Sequence, residues 1–389
     1  MMLDRDVIVA GAGPVGLVAA LVLAEAGLRV AVFEKRAELN RVSKASTFHA
    51  PTLDILDRVG VYEAFSRQAL HIDRLQYRTV EGGILGELTF GLLEGVTPFP
   101  FRKHLEQSLL TPILLEKLQG FPNVDFRFNA EFLGVEDRGE SVAVTVGNGS
   151  GSETVTARFL LGADGAHSAV RQAAGISFDG SAYPGFQLRI RTDDTIRDVV
   201  RDIGPVTYLV GKTHSVSFLH MPDNWRVILR VPEGISEETA LTDAWALERL
   251  RALIPGFTMP NVVDKDCYAA RKCLASAGFA GNVFLAGDAL HLTNTRGGMN
   301  MNCGIHDGFV IANAMADAVR TGTRAPLDAV AAERHRVSRD MLLPRTDTMV
   351  SQEKAWIAKV EGLLSDKDKA RAYLAQTAML DMVELPART

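Results

Sequence analysis

The glycine series Gly11-Ala12-Gly13-Pro14-Val15-Gly16 constrains this chain more than any other feature, because of what flanks it. A short apolar run at residues 6–10 precedes it and a longer one at 14–26 carries on from it, opening on Pro14 and stopping at Gly27. The first reads as a buried strand and the second as a helix. A second buried strand reads at 29–34. Strand, helix and strand in succession imply a parallel pair with a right-handed crossover. In such a turn Gly11 permits the tight bend, Gly13 lets the backbone approach a pyrophosphate, and Gly16 lets the helix pack on the strand. The free N–H groups of the first helical turn then face the phosphates. Glu34 ends the second strand, where a carboxylate accepts from a ribose hydroxyl pair. Pro14 and Val15 complete the loop, and Lys35 and Arg36 follow the acid. The motif binds a dinucleotide and does not by itself separate FAD from NAD.

A second segment far downstream separates them. Asn282-Val283-Phe284-Leu285-Ala286-Gly287-Asp288 is a further apolar strand ending in an acid. After Ala289-Leu290-His291 comes Arg296-Gly297-Gly298-Met299-Asn300-Met301-Asn302-Cys303-Gly304. Gly297-Gly298 is nearly free of side chains, so a flat ring can lie against its backbone. A helix expected to begin near Met301 points its positive end at that ring, which suits a reduced flavin carrying negative charge. The two segments together read as one FAD site, with the glycine loop on the pyrophosphate and Asp288 on the ribityl chain. A third segment, Ala163-Asp164-Gly165-Ala166-His167-Ser168-Ala169-Val170-Arg171, is a strand end, a turn and a helix start, with Ser168 or Asp164 as the cap.

Further helices are expected at 51–60, 105–118 and from 304 to about residue 380. Alternating segments at 124–128, 141–146 and 153–161 read as strands, the last two turned at 147–151. Residues 180–232, joined by strands from 70–99, read as a separate, mainly antiparallel sheet. At 389 residues the chain holds two domains' worth of core. Its net charge of -5 argues against nucleic acid and anionic membrane as partners. Cys267, Cys273 and Cys303 lack metal-ligand spacing and read as free thiols, and no metal is expected. The first strand opens too early to leave room for a signal peptide, so the expected location is the cytoplasm.

In this order and at this spacing, the three motifs resemble the single-component (group A) FAD-dependent aromatic hydroxylases, the family of para-hydroxybenzoate hydroxylase. The resemblance spans nearly the whole chain and extends to Ala332-Glu333-Arg334. It implies an α/β protein: a Rossmann-like FAD-binding domain at 1–72, 100–179 and 264–340, an inserted mainly antiparallel β-sheet substrate domain at 73–99 and 180–263, and C-terminal helices at 341–389. It further implies non-covalent FAD, held by the glycine loop, Glu34, Asp288 and the stretch Gly297, Gly298, Met299, Asn300, Met301 and Asn302. Arg41 or Lys44 falls where the family places a cation near the phosphates, and Arg102 where a residue contacts the flavin. Asp164 and Arg171 match a motif that the family links to both FAD and the nicotinamide nucleotide. The implied reaction is hydroxylation of a small aromatic by NADH or NADPH and O2 through a flavin C4a-hydroperoxide.

Within that reading, Tyr208 and His220 are candidates to deprotonate a phenol. Tyr183, Arg189, Thr295 and Arg296 are candidate substrate contacts, Arg296 either recognising an anion or pointing into solvent. By strand alternation His214, Val216, Phe218 and His220 share one face. The chain departs from the family at Asn294-Thr295-Arg296, where a proline usually fixes the backbone beside the reacting carbon, and at Met299-Asn300, where Gln-Gly is usual. The departure keeps open a flavoprotein that oxidises NAD(P)H without transferring oxygen. Trp225, Trp245 and Trp356 are too dispersed for a flavin-dependent halogenase. A non-catalytic flavin carrier is the remaining alternative. Monomer and homodimer are both open.

Overall fold

Four fully buried residues, Val7–Ala10, form an interior strand of a six-stranded sheet. A computed structural model of the chain describes residues 3–42, 45–80, 83–149, 151–211, 215–348 and 353–386. In the six-stranded sheet Val7–Ala10 pairs in parallel with Val30–Phe33 and with Phe159–Gly162. Val124–Arg127 and Val283–Leu285 extend the parallel set on either side, and Phe279–Ala280 adds an antiparallel edge. The helix Pro14–Glu25 crosses between the first two strands and is apolar nearly all round. That pattern fits its position, because the sheet, the helix Gln107–Gln119 and the helix Met299–Thr321 enclose it. Asp288 thus leaves a strand on one side of Val7–Ala10, while the glycine loop leaves Val7–Ala10 itself.

The second large sheet has seven strands: Val262–Tyr268, Phe186–Thr192, Trp225–Val231, Ser215–His220, Val206–Val210, Arg74–Arg78 and Ile84–Thr89, in that order. It is antiparallel except where Val206–Val210 meets Arg74–Arg78. The α/β architecture with its antiparallel second sheet and C-terminal helices is the expected one. Period-two alternation gives this sheet two unlike faces. Leu188, Ile190, Phe218, Val227 and Leu229 pack on the helix Asp243–Leu253 through Trp245, Leu250 and Leu253. The opposite face, with Arg189, Tyr208, Ser217 and Arg226, turns toward the first sheet's loops.

Several elements differ from the sequence expectation. The segment 153–161 is two strands, Ser152–Ala157 and Phe159–Gly162, in two different sheets. Alternation runs through both, so period alone does not reveal the change of partner at Arg158. Leu70–Ile72 pairs with Arg102–His104 rather than joining the seven-stranded sheet. Val262–Tyr268 belongs to that sheet, although a boundary at 263/264 hands most of it to the first region. The helix Asp243–Leu253 was not anticipated, despite a legible Thr242 cap that accepts from the Trp245 N–H at 3.3 Å. Lys44, His214 and Ser150 of the expected turn lie outside the described residues.

Phe218 is fully buried between sheet and helix, on the face away from the cavity. Phe218→Ala should lower stability by about 3–5 kcal/mol in chemical denaturation, as truncating a large buried aromatic does.

Candidate active site

The glycine loop has the shape of a phosphate cradle. Gly11 holds φ +104°, and a side chain there would lie 2.4 Å from the Ala163 carbonyl oxygen. At Gly16 a Cβ would lie 2.0 Å from the Gly11 carbonyl oxygen, so helix and turn meet only through glycine. Around Gly13, the N-cap of the helix, a Cβ would meet nothing within 4 Å. The loop is therefore packed behind and open in front, over free helical N–H groups. Glu34 accepts from the Ala12 N–H at 2.9 Å and the Arg36 N–H at 3.0 Å, which fixes its carboxylate beside the cradle. Asp164 accepts from the Val170 N–H at 3.1 Å, and its other carboxylate oxygen is buried without a partner. A cradle of this form, with an unsatisfied acceptor beside it, fits a dinucleotide that brings hydroxyl donors.

Not every expected contact is so placed. Lys35, Arg36 and Arg41 are exposed, and Arg41 pairs with Glu38 at 2.8 Å. Arg171 is buried over the Phe178 ring and donates to the carbonyl oxygens of Ala289 and Ala166. Those bonds tie the third motif to the Asp288 loop, so its guanidinium braces protein rather than facing an open site. Ser168 and Asp164 both cap the short helix Ala169–Ala173.

The loop after Asp288 is held from below by buried ions. Asp307, on the helix Met299–Thr321, accepts from Arg334 at 2.7 Å, from His291 at 2.8 Å and from the Gly287 N–H at 3.2 Å. Burial pushes the Asp307 carboxyl up, but Arg334 and His291 outweigh it and hold its pKa below the ordinary value. Arg334 also donates to Cys303 Sγ at 3.3 Å and to the Met382 carbonyl, which fastens the C-terminal segment to the cluster. Asn300 donates to Asp288 at 2.8 Å and meets His291 on its other side at 3.0 Å. Gly297 and Gly298 take φ +74° and +63°, and the helix starts at Met299, two residues earlier than expected. The buried Asn302 donates to the carbonyls of Thr47 and Gly298 and accepts from the His49 N–H. His49 Nε2 donates to the Gly297 carbonyl at 2.8 Å. Burial, with Arg102 nearby, keeps His49 neutral, its pKa well below the ordinary value.

Between this loop and the polar face of the seven-stranded sheet lies a cavity of about 250 Å³. Arg189, Tyr208, Thr295 and Arg296 line it, together with Arg102 and residues 297–301. Tyr183 does not. Its hydroxyl donates to Asp347, away from the cavity. Nor does His220, which stacks on Trp225 with ring centroids 4.4 Å apart. Alternation placed His220 correctly with Val216 and Phe218, but that face packs on the unanticipated helix Asp243–Leu253. Ser215, Ser217 and Leu219, on the other face of the strand, line the cavity, and Val216 reaches its edge.

The cavity's charged lining is all basic among the described residues: Arg102, Arg189, Arg226, Arg230, Arg296 and Lys359. Two of these are paired away, Arg189 to Asp266 at 2.8 Å and Arg226 to Glu106. Arg102 lies over the Phe90 ring and donates to the Thr377 carbonyl at 3.3 Å. Burial pushes the Tyr208 hydroxyl up, so it stays neutral at physiological pH.

Comparison with known proteins decides the family. The sequence model described as an FAD binding domain matches residues 4–343. The chain belongs to the FAD-dependent aromatic hydroxylases. It is 28% identical over 400 residues to para-nitrophenol 4-monooxygenase from Pseudomonas sp. (strain WBC-3), covering 98% of this chain and 96% of the relative. It is 27% identical to 6-hydroxy-3-succinoylpyridine 3-monooxygenase from Pseudomonas putida (strain DSM 28022 / S16), over 96% and 98% of the two chains. The crystal structure of p-nitrophenol 4-monooxygenase from Pseudomonas putida DLL-E4 has the same fold, with a TM-score of 0.87 at 24% identity over 98% of both chains.

The cavity of this hydroxylase also has lining residues that the sequence did not single out. Tyr268 and Tyr77 line the cavity, as do Trp356, Lys359 and Tyr373 of the C-terminal helices Glu353–Leu364 and Lys367–Thr377. Their pattern carries no local motif, since helix alternation reads the same over a cavity as over a core. The Asp307 cluster had a signal, a His306-Asp307 pair in the run 303–312, whose other residues are apolar or glycine.

Arg334→Met strips the Asp307 carboxylate of its guanidinium inside the core. At neutral pH the loss should be about 3–5 kcal/mol, because an underpaired buried charge remains. A carboxyl with a depressed pKa stabilises the fold above its unfolded value, and that stabilisation is lost as pH falls through the folded value. The gap between wild type and variant should therefore narrow as pH drops below the ordinary Asp value of 3.8, as thermal unfolding at successive pH values can check.

Proposed function

We propose that this hydroxylase acts on a single aromatic ring bearing a hydroxyl group, with NAD(P)H and O2, in the cavity between the 295–301 loop and the sheet. The observation that carries this reading is the cavity itself: basic, lined with phenols and capped by the C-terminal helices beside the loop suited to a flavin. A cavity of about 250 Å³ suits a substituted ring, since roughly 150 Å³ accommodates benzene. The basic lining favours an anionic form, either a phenolate or a ring with an acidic substituent. By their names, the two relatives matched over nearly their whole length act on a nitrophenol and on a hydroxylated pyridine, which supports the same class.

FAD would be held at the pyrophosphate by the Gly11–Gly16 loop, at the ribose by Glu34, at the ribityl chain by Asp288, and along the ring by residues 297–301. When bound, FAD supplies the redox chemistry, taking electrons from NAD(P)H and delivering one oxygen atom of O2 to the ring. The protein's part is to orient and to exclude water. Tyr208 is neutral, so it serves the substrate hydroxyl as a hydrogen-bond partner rather than as an anionic base. Arg102 lies beside it and favours a substrate oxygen that is losing its proton. Arg230 and Arg296 offer positive charge near the flavin loop. Trp356, Val360 and Leu363 supply the apolar wall that keeps solvent away. No helix among the described residues is long and apolar enough to cross a membrane. The free thiols Cys267, Cys273 and Cys303 fit a reducing compartment, so we place the enzyme in the cytoplasm.

Substituted phenols, benzoates and hydroxypyridines should stimulate NADH or NADPH consumption, and labelled O2 should leave one labelled oxygen in the product. Stimulated consumption that yields only peroxide would overturn the hydroxylase reading. Asp288→Ala should fold but purify with little FAD. A fully yellow variant would remove Asp288 from the ribityl contact.

A further inference from the structure

Asn300 joins two groups of opposite charge. Its amide nitrogen donates to Asp288 Oδ1 at 2.8 Å, and its amide oxygen lies 3.0 Å from His291 Nδ1. The carboxylate decides the amide's orientation, because turning it over would set oxygen against oxygen at Asp288. With the amide oxygen toward the ring, Nδ1 must carry a hydrogen. Nε2 must carry one as well, because it lies 2.8 Å from the ionised Asp307 Oδ2. The fully buried ring is thus an imidazolium, set between an ion cluster and an amide.

We propose that Asn300 is a positioning residue through which the charge on His291 fixes the Asp288 carboxylate for the ribityl chain of FAD. This rests on reading Asp288 as the ribityl contact. The groups facing His291 are Asp307, Cys303 and His306 from its neighbouring helix, Arg334 from the helix Ala325–Val337, and Asp288 through Asn300. Burial alone drives the imidazole toward its neutral form. Cys303 and Asp307 outweigh burial and hold its pKa well above the ordinary value. As pH rises through that pKa, Asp307 retains the Nε2 hydrogen and Nδ1 loses its own. Nδ1 is then an acceptor, and the Asn300 amide satisfies it only by turning its NH2 around. The amide oxygen now opposes Asp288, and the carboxylate leaves its place.

The test is FAD affinity, read by quenching of flavin fluorescence on titration into flavin-stripped protein from about pH 6 to about pH 10. The wild type should bind about tenfold more weakly at the alkaline end, the scale of one lost hydrogen bond to a charged group. Asn300→Leu and Asn300→Gly should bind about tenfold more weakly at neutral pH, with the alkaline loss absent. Two substitutions of unlike size guard against a packing artefact, and circular dichroism checks that each folds. Wild-type affinity that is flat with pH, or an alkaline loss that persists in both variants, overturns the inference. Asp288→Ala titrated in parallel separates the two readings. If it binds FAD like the wild type, the ribityl assignment itself falls. If it loses FAD while the Asn300 variants do not, only the role of Asn300 falls.

Discussion

One buried carboxylate holds the catalytic half of this hydroxylase together. Asp307 receives the Gly287 N–H, the His291 ring and the Arg334 guanidinium, and Arg334 in turn holds the Met382 carbonyl. A strand end, a long helix, the helix after it and the C-terminal segment thus meet at a single charge. Such a cluster is poor value as stability alone, since burying the ions costs several kcal/mol each. Its return is geometric: the acid that would hold the ribityl chain sits next to Gly287, and the loop that would carry the ring sits on the same helix as Asp307. His291, Cys303 and Asp307 bring three ligand-type atoms together, but Arg334 donates to two of them, so the guanidinium occupies the place a cation would take.

The same economy governs the seven-stranded sheet. Its two faces differ because a helix covers one and the 295–301 loop the other, and strand alternation sorts side chains between them. The face over the cavity keeps arginines, serines and tyrosines because water or a ligand satisfies them there. Glu106 and Asp266 sit behind the cavity and pair with two of its arginines, and the remaining charged residues of its described lining, Arg102, Arg230, Arg296 and Lys359, are basic as well. The C-terminal helices Glu353–Leu364 and Lys367–Thr377 complete the wall, so the shape of the cavity depends on how they pack.

The parts legible in the sequence were those that backbone geometry enforces. Gly11 and Gly16 are glycine because nothing else fits between turn, strand and helix, and that necessity shows as spacing. The loop at Gly297-Gly298 was legible for the same reason. What escaped was everything that depends on which face meets which neighbour. His220 was placed on its correct strand face, and the face was then assigned to the wrong side, because the helix Asp243–Leu253 was missing from the reading. Tyr183 was assigned to the site by nearness in sequence, while its strand, Phe178–Ala182 and the turn after it, belongs to a small third sheet. Lys359 and Tyr373 reach the cavity from helices with no motif at all.

The missing proline at position 295 looked like the chain's main departure from oxygen-transfer chemistry, and the backbone answers it. Thr295 takes φ -81° and ψ -2°, close to the φ that a proline ring imposes. Neighbouring side chains supply what the ring would. The buried Asn294 donates to the Thr346 carbonyl at 2.7 Å and accepts from the Arg296 N–H at 3.0 Å. His49 pins the Gly297 carbonyl from the other side. A proline restrains one dihedral covalently, whereas here hydrogen bonds to two separate elements restrain the same turn. Those bonds exist only in the folded chain, so the rigidity of the loop depends on the packing of the C-terminal segment that carries Thr346. A chain built this way keeps the loop ready for chemistry without proline, and it makes the geometry at the reacting ring answer to residues far from it in sequence.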